Sequence, residues 1–168
     1  MRGTLFACLA LLILSVGCAE HTADPKQIAW HDRLTLASNK TSDARANGKR
    51  LSVQSLIGAC GPPDVKTTVD QLRQTLAASG APMADRGDLN TLYFAYRISK
   101  NLSAEQTDQW QSDQEFLATP VWIYDERQHF RSPLPDSSGF DSFVFLLSDD
   151  QLIGSNVIIA SPVWGHGQ

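Results

Sequence analysis

The sequence predicts an α+β domain in which two short N-terminal helices pack on one face of an antiparallel sheet of about four strands. Three observations carry that expectation. A helical spacing of apolar residues runs up to Gly61-Pro62-Pro63, a residue-by-residue alternation runs from Thr91 to Ile98, and two apolar runs near the C-terminus flank Ser148-Asp149-Asp150-Gln151. The 168 residues, 42% hydrophobic and 19% charged, suffice for one domain with a real core and not for two large ones.

Ser52 is placed to cap the first helix, where Val53, Leu56, Ile57 and Cys60 fall at i, i+3, i+4 and i+7 before the Gly-Pro-Pro stop. The second helix starts at Thr68, whose spacing to Gln71 is that of a capping box, and turns Val69, Leu72 and Leu76 inward until Gly80-Ala81-Pro82. In the segment 91–98, alternation puts Leu92, Phe94, Tyr96 and Ile98 on one face of a strand and Thr91, Tyr93, Ala95 and Arg97 on the other. Ser103 to Gln106 is a second capping box, opening a mostly polar, exposed helix towards Ala118. Val121 to Tyr124 reads as a strand after Pro120, Ser132 to Gly139 as a loop, and Phe140–Leu147 with Leu152–Ile159 as a hairpin. If the aromatic residues Tyr93, Tyr96, Trp122 and Tyr124 lie on neighbouring strands, they form one cluster.

The first residues read as an address. One arginine precedes the uninterrupted apolar run Leu5 to Leu14, too short to span a membrane, which needs about 20 apolar residues. Leu14-Ser15-Val16-Gly17-Cys18 resembles the lipobox of bacterial lipoproteins, so residues 1–17 are expected to be a signal peptide and Cys18 the site of lipid attachment. Several acyl chains would hold such a protein firmly on a bilayer. Ala19, where an inner-membrane-retaining residue would be aspartate, implies by the same resemblance the periplasmic face of the outer membrane. Residues 18–49, mostly polar with only Ile28, Trp30, Leu34 and Leu36 to offer a core, read as the lipidated cysteine and a flexible tether, and residues 50–168 as a single α+β domain.

Chemistry is sparse in the motifs. His21, His31, His129 and His166 are scattered without the spacing of a zinc site, no nucleophile elbow or phosphate-cradling glycine loop is present, and no metal, cofactor or catalytic residue is expected. Asp125-Glu126 and Asp149-Asp150 read as turn residues. Cys60, with Cys8 in the signal and Cys18 lipidated, has no intramolecular partner and reads as a core residue; a hydrolase built around it would need a histidine beside it. With 14 Lys+Arg against 18 Asp+Glu, a net charge of −4, nucleic acid is not an expected partner.

Three stretches, Leu51 to Asp64, Asn90 to Arg97 and Phe143 to Ile153, resemble the helix ending in glycine-proline, the aromatic strand and the closing hairpin of the BamE/SmpA-OmlA family of small outer-membrane lipoproteins. The resemblance implies a non-enzymatic assembly module, without catalytic residues, that supports the barrel-assembly machinery through other envelope proteins and anionic phospholipid. It also implies that Tyr96 and Arg97 lie on a partner surface, Arg97 meeting a phosphate or carboxylate. The alternative is an inhibitor or immunity-type lipoprotein that blocks a periplasmic enzyme, with Ser132 to Gly139 as its protruding loop.

Overall fold

The computed structural model describes residues 24–79, 82–103, 109–135 and 139–164, with the backbone alone at 82–86. Its elements are α1 (Pro25–Ala46), β1 (Leu51–Ser52), α2 (Val53–Cys60), β2 (Val65–Thr68), α3 (Val69–Ala78), α4 (Pro82–Ser99), α5 (Gln114–Leu117), β3 (Pro120–Asp125), β4 (Ser142–Ser148) and β5 (Gln151–Ile158). Short 3-10 turns cover Gln109–Ser112 and Glu126–Gln128. The fold is α+β, with a five-stranded antiparallel sheet in the order β1-β5-β4-β3-β2.

Both faces of the sheet are covered, which explains the continuous apolar runs of its central strands. The pleat of β4 sends Val144 and Leu146 into one cluster with α3, α4 and α5, and Phe143, Phe145 and Leu147 into another with α1 and α2. The two helices expected on one face therefore lie on opposite faces, α2 through Leu56 and α3 through Leu72 and Leu76. The helix starts and the hairpin stand as expected. Ser52 and Thr68 cap α2 and α3 by accepting from the Ser55 and Gln71 N–H groups, and β4 and β5 join through Asp149 and Asp150, both at positive φ.

Three expectations fail for identifiable reasons. Residues 25–46 are a helix and not a tether: Asp24 caps the Lys26 N–H with Pro25 in the first turn, and Gln27, Trp30, Leu34, Ala37 and Thr41 are buried in one stripe at alternating spacings of three and four. Two of those five are polar and one is alanine, so the stripe is nearly invisible as hydrophobicity, while Ile28 and Leu36 are exposed. Thr91 to Ile98 is the end of α4 and not a strand. Leu89, Leu92, Tyr93 and Tyr96 recur at i, i+3, i+4 and i+7 and are buried, whereas Phe94 is exposed. The exposed helix from Ser103 to Ala118 is broken by Asp113, which caps α5 through the Phe116 N–H and holds Phe116 and Leu117 in the core; residues 104–108 lie outside the described residues. The two added strands are β1 and β2, which pair at the sheet's edges with Leu152 and with Trp122 and its neighbours.

Helix α4 crosses β5 at Gly154. A β-carbon at Gly154 would lie 2.5 Å from the Ala95 β-carbon, so glycine is what lets the helix descend onto the sheet. Asn156, two residues along the same face, donates to Asp88 Oδ1 at 2.8 Å and fixes the helix along the strand.

Candidate functional site

The end of the sheet where β3 finishes and β4 begins carries most of the buried polar chemistry. Asp125 caps the 3-10 turn by accepting from the Arg127 N–H, which drives Glu126 into the interior with no exposed surface. A buried carboxylate must be hydrogen-bonded or neutralised. Glu126 accepts from the Gln27 side-chain amide and, at 2.9 Å, from the Asp141 N–H, while its own N–H donates to the Asp141 carbonyl at 3.0 Å. One helical turn after Gln27, His31 brings Nε2 to 3.2 Å from Glu126 Oε1, but out of hydrogen-bonding alignment: this nitrogen is buried and has no hydrogen-bond partner among the described residues. Asp141 faces the pair, its carboxyl pushed up by burial and further by the Glu126 charge, against the Ala160 N–H that stabilises its ionised form.

Next to this cluster the C-terminal segment is clamped. Arg127 donates to the Ser161 and Pro162 carbonyls and lies over the Phe140 ring, and Trp164 donates to Ser142 Oγ at 2.8 Å, so the tryptophan is docked in the core. On the other side, His129 Nε2 lies 3.0 Å from Asp64 Oδ2, and this carboxylate raises the imidazole above its ordinary value. Trp30 packs against both His31 and His129, with ring centroids 5.2 and 5.3 Å away.

The residues singled out from the sequence fall elsewhere. Tyr96 and Arg97 are on α4, so the strand face expected to present them does not exist. Tyr96 is buried against Tyr93 and Phe116, and burial pushes its phenol upward. Arg97 donates to the Ser103 carbonyl and, at 3.2 Å, to the Tyr93 hydroxyl, which ties down the end of α4. Tyr93 and Tyr96 belong to one core cluster while Trp122 and Tyr124 belong to the other, so the four aromatic side chains do not form a single surface. Cys60 is half-buried and its thiol is pushed up by burial, contrary to what a thiolate nucleophile needs. Neither described histidine beside the sheet serves it: His31 approaches Glu126 and His129 bonds Asp64. Cys18 lies outside the described residues, as does part of the Ser132 to Gly139 loop.

Sequence alone does not bring His31, Glu126 and Asp141 together, because they stand in a segment that reads as a tether, in a pair that reads as turn residues and at the entry to a strand. Asp24-Pro25, a cap followed by proline, was the available signal for the helix that delivers Gln27 and His31. A second surface feature is a groove of about 340 Å³ between α1 and α2, floored by Leu36, Ala37, Leu56 and Ala59 and flanked by Arg33 and Lys40. Among the described residues, no helix is long and apolar enough to cross a membrane. Comparison with family models, with curated proteins and with solved structures finds no match to this chain.

Proposed function

We propose that the protein is a lipid-anchored lipoprotein of the outer membrane, facing the periplasm and acting as a non-enzymatic binding module for another envelope protein. The observation that carries this reading is the apolar run ending in Leu14 to Cys18, followed only six positions later by the cap of α1 at Asp24. Six residues reach at most about 20 Å, at roughly 3.3–3.6 Å each. An anchor at Cys18 therefore keeps the domain against the bilayer, and its partner must be met there.

The α1–α2 groove supplies the binding surface in this reading. Leu36 is 54% exposed on an apolar floor, and Arg33 and Lys40 suit a partner segment that carries both apolar and acidic side chains. The barrel-assembly likeness now rests on the helix ending at Gly61 and on the closing hairpin, since the middle stretch is helical.

Two measurements test the reading together. Labelled palmitate is expected to enter the wild type and not Cys18→Ala, and a photo-cross-linker at Leu36 in intact cells is expected to trap one envelope protein in a manner that requires Cys18. An unlabelled wild type removes the anchor. A labelled protein that gives no adduct at Leu36 removes the groove; an adduct with one periplasmic enzyme favours an inhibitor, and an adduct with the barrel-assembly machinery favours a scaffold.

A further inference from the structure

The cluster at the end of the sheet has the composition and spacing of a metal site. One ring nitrogen of His31 and one carboxylate oxygen each from Glu126 and Asp141 all lie within 4.8 Å of one another. We propose that these three side chains bind one divalent transition-metal ion, with Zn²⁺ as the cation that suits them best.

Geometry favours this over a simple histidine–carboxylate pair. Around a tetrahedral zinc, bonds of about 2.0–2.2 Å place neighbouring donor atoms roughly 3.3–3.6 Å apart. His31 Nε2 and Glu126 Oε1 are 3.2 Å apart, close to such an edge. In that arrangement the line between the two donors departs by about 40° from the nitrogen–metal axis, so the ring nitrogen points past the oxygen and towards the shared cation. A protonated imidazole paired with a carboxylate would instead align its N–H on the oxygen. His31 Nε2 is close to Glu126 Oε1, buried and out of hydrogen-bonding alignment, as the metal arrangement requires.

Charge and support agree. Two carboxylates and a neutral imidazole sum to the charge that neutralises a dication, and imidazole among the donors favours zinc over magnesium or calcium. Metal-bound carboxylates are characteristically oriented by outer hydrogen bonds. Glu126 has two, from Gln27 and from the Asp141 N–H. The ligands come from α1, the Glu126–Gln128 turn and the residue before β4, so the ion would fasten the first helix to the end of the sheet. In a tetrahedral arrangement a water would complete the coordination as fourth ligand.

The test uses the full chain, purified in detergent, stripped with a chelator and titrated with Co²⁺ and then Zn²⁺. One equivalent of Co²⁺ is expected to produce the visible ligand-field bands of a four-coordinate nitrogen–oxygen site, and Zn²⁺ to abolish them. His31→Ala and Asp141→Asn are each expected to lower affinity by about tenfold or more while far-ultraviolet circular dichroism stays unchanged. Asp141 is only part-buried, so its variant keeps the test decisive if His31→Ala fails to fold. No stoichiometric uptake by the wild type overturns the proposal. So does uptake undiminished in both variants, which would assign the ion to other groups such as His129 with Asp64. None of these readouts depends on lipidation or on a protein partner.

Discussion

Replacing Gly154 by alanine tests the packing of α4 on the sheet, the feature on which structure and sequence pattern disagree most. The new β-carbon would stand 2.5 Å from the Ala95 β-carbon, where carbon atoms settle at about 3.5–4.0 Å, so the elements must separate by about 1 Å. Neither atom has a torsion that moves it aside, because both are fixed directly to backbone. Overpacking of this kind costs about 1–3 kcal/mol, and the upper half is expected here because Leu92, Ala95 and Tyr96 would all be lifted together. The compensating change is Ala95→Gly, which reopens the space but itself costs about 1 kcal/mol in a helix. The double variant should therefore be more stable than Gly154→Ala alone, with a coupling of about 2–3 kcal/mol in a double-mutant cycle from urea unfolding. Additive effects within about 0.5 kcal/mol would refute the contact, and with it the placement of 91–98 as a helix over β5.

Leu34→Ala is expected to destabilise by about 2–5 kcal/mol, because Leu34 is wholly buried in the α1 stripe; an unchanged melting temperature would return residues 25–46 to the status of a tether. Thr68→Ala removes the cap of α3 and should cost about 1 kcal/mol, read from the urea midpoint. His129→Gln should be pH-dependent. The imidazole is raised by Asp64, so its contribution is complete below about pH 6.5, where folded and unfolded chains both carry the charge, and fades as pH rises through the folded value. The variant's deficit, under about 1 kcal/mol for a partly exposed pair, should shrink between pH 6 and pH 9; a constant deficit would argue against the ion pair.

Local chemistry made part of this fold legible. Ser52 and Thr68 announce helices because a side-chain oxygen beside an unpaired N–H is a local event, and the Asp149-Asp150 turn declares the hairpin for the same reason. Where two periods fit the same residues, the sequence misleads. Leu92, Tyr93, Tyr96 and Ile98 satisfy alternation in part and helical spacing in part, and aromatic residues weight the reading towards a strand until Leu89 is counted on the same face. The candidate site was the least legible because it is defined by contact across the chain. His31 and Glu126 meet only once α1 is known to dock, and α1 docks through a stripe in which Gln27 and Thr41 stand at positions where apolar residues would have advertised it.

The docking of α1 also changes what an anchor at Cys18 could do. A flexible tether of some thirty residues would let the domain sample a shell several nanometres deep, at about 5–6 Å × √n. With the helix in place, an anchor at Cys18 would stand six residue steps from Asp24, about 20 Å at most, and the 22 residues of α1 form a strut about 33 Å long at 1.5 Å per residue. One end of that strut, the end such an anchor would hold, carries Gln27 and His31 against Glu126; the other carries Arg45 towards β5. The groove beside Leu36 and Lys40 would then stay within a few nanometres of such an anchor. A cation held by His31, Glu126 and Asp141 would act on this geometry directly, since it would join the N-terminal turns of the strut to the sheet and so set how firmly the groove is presented.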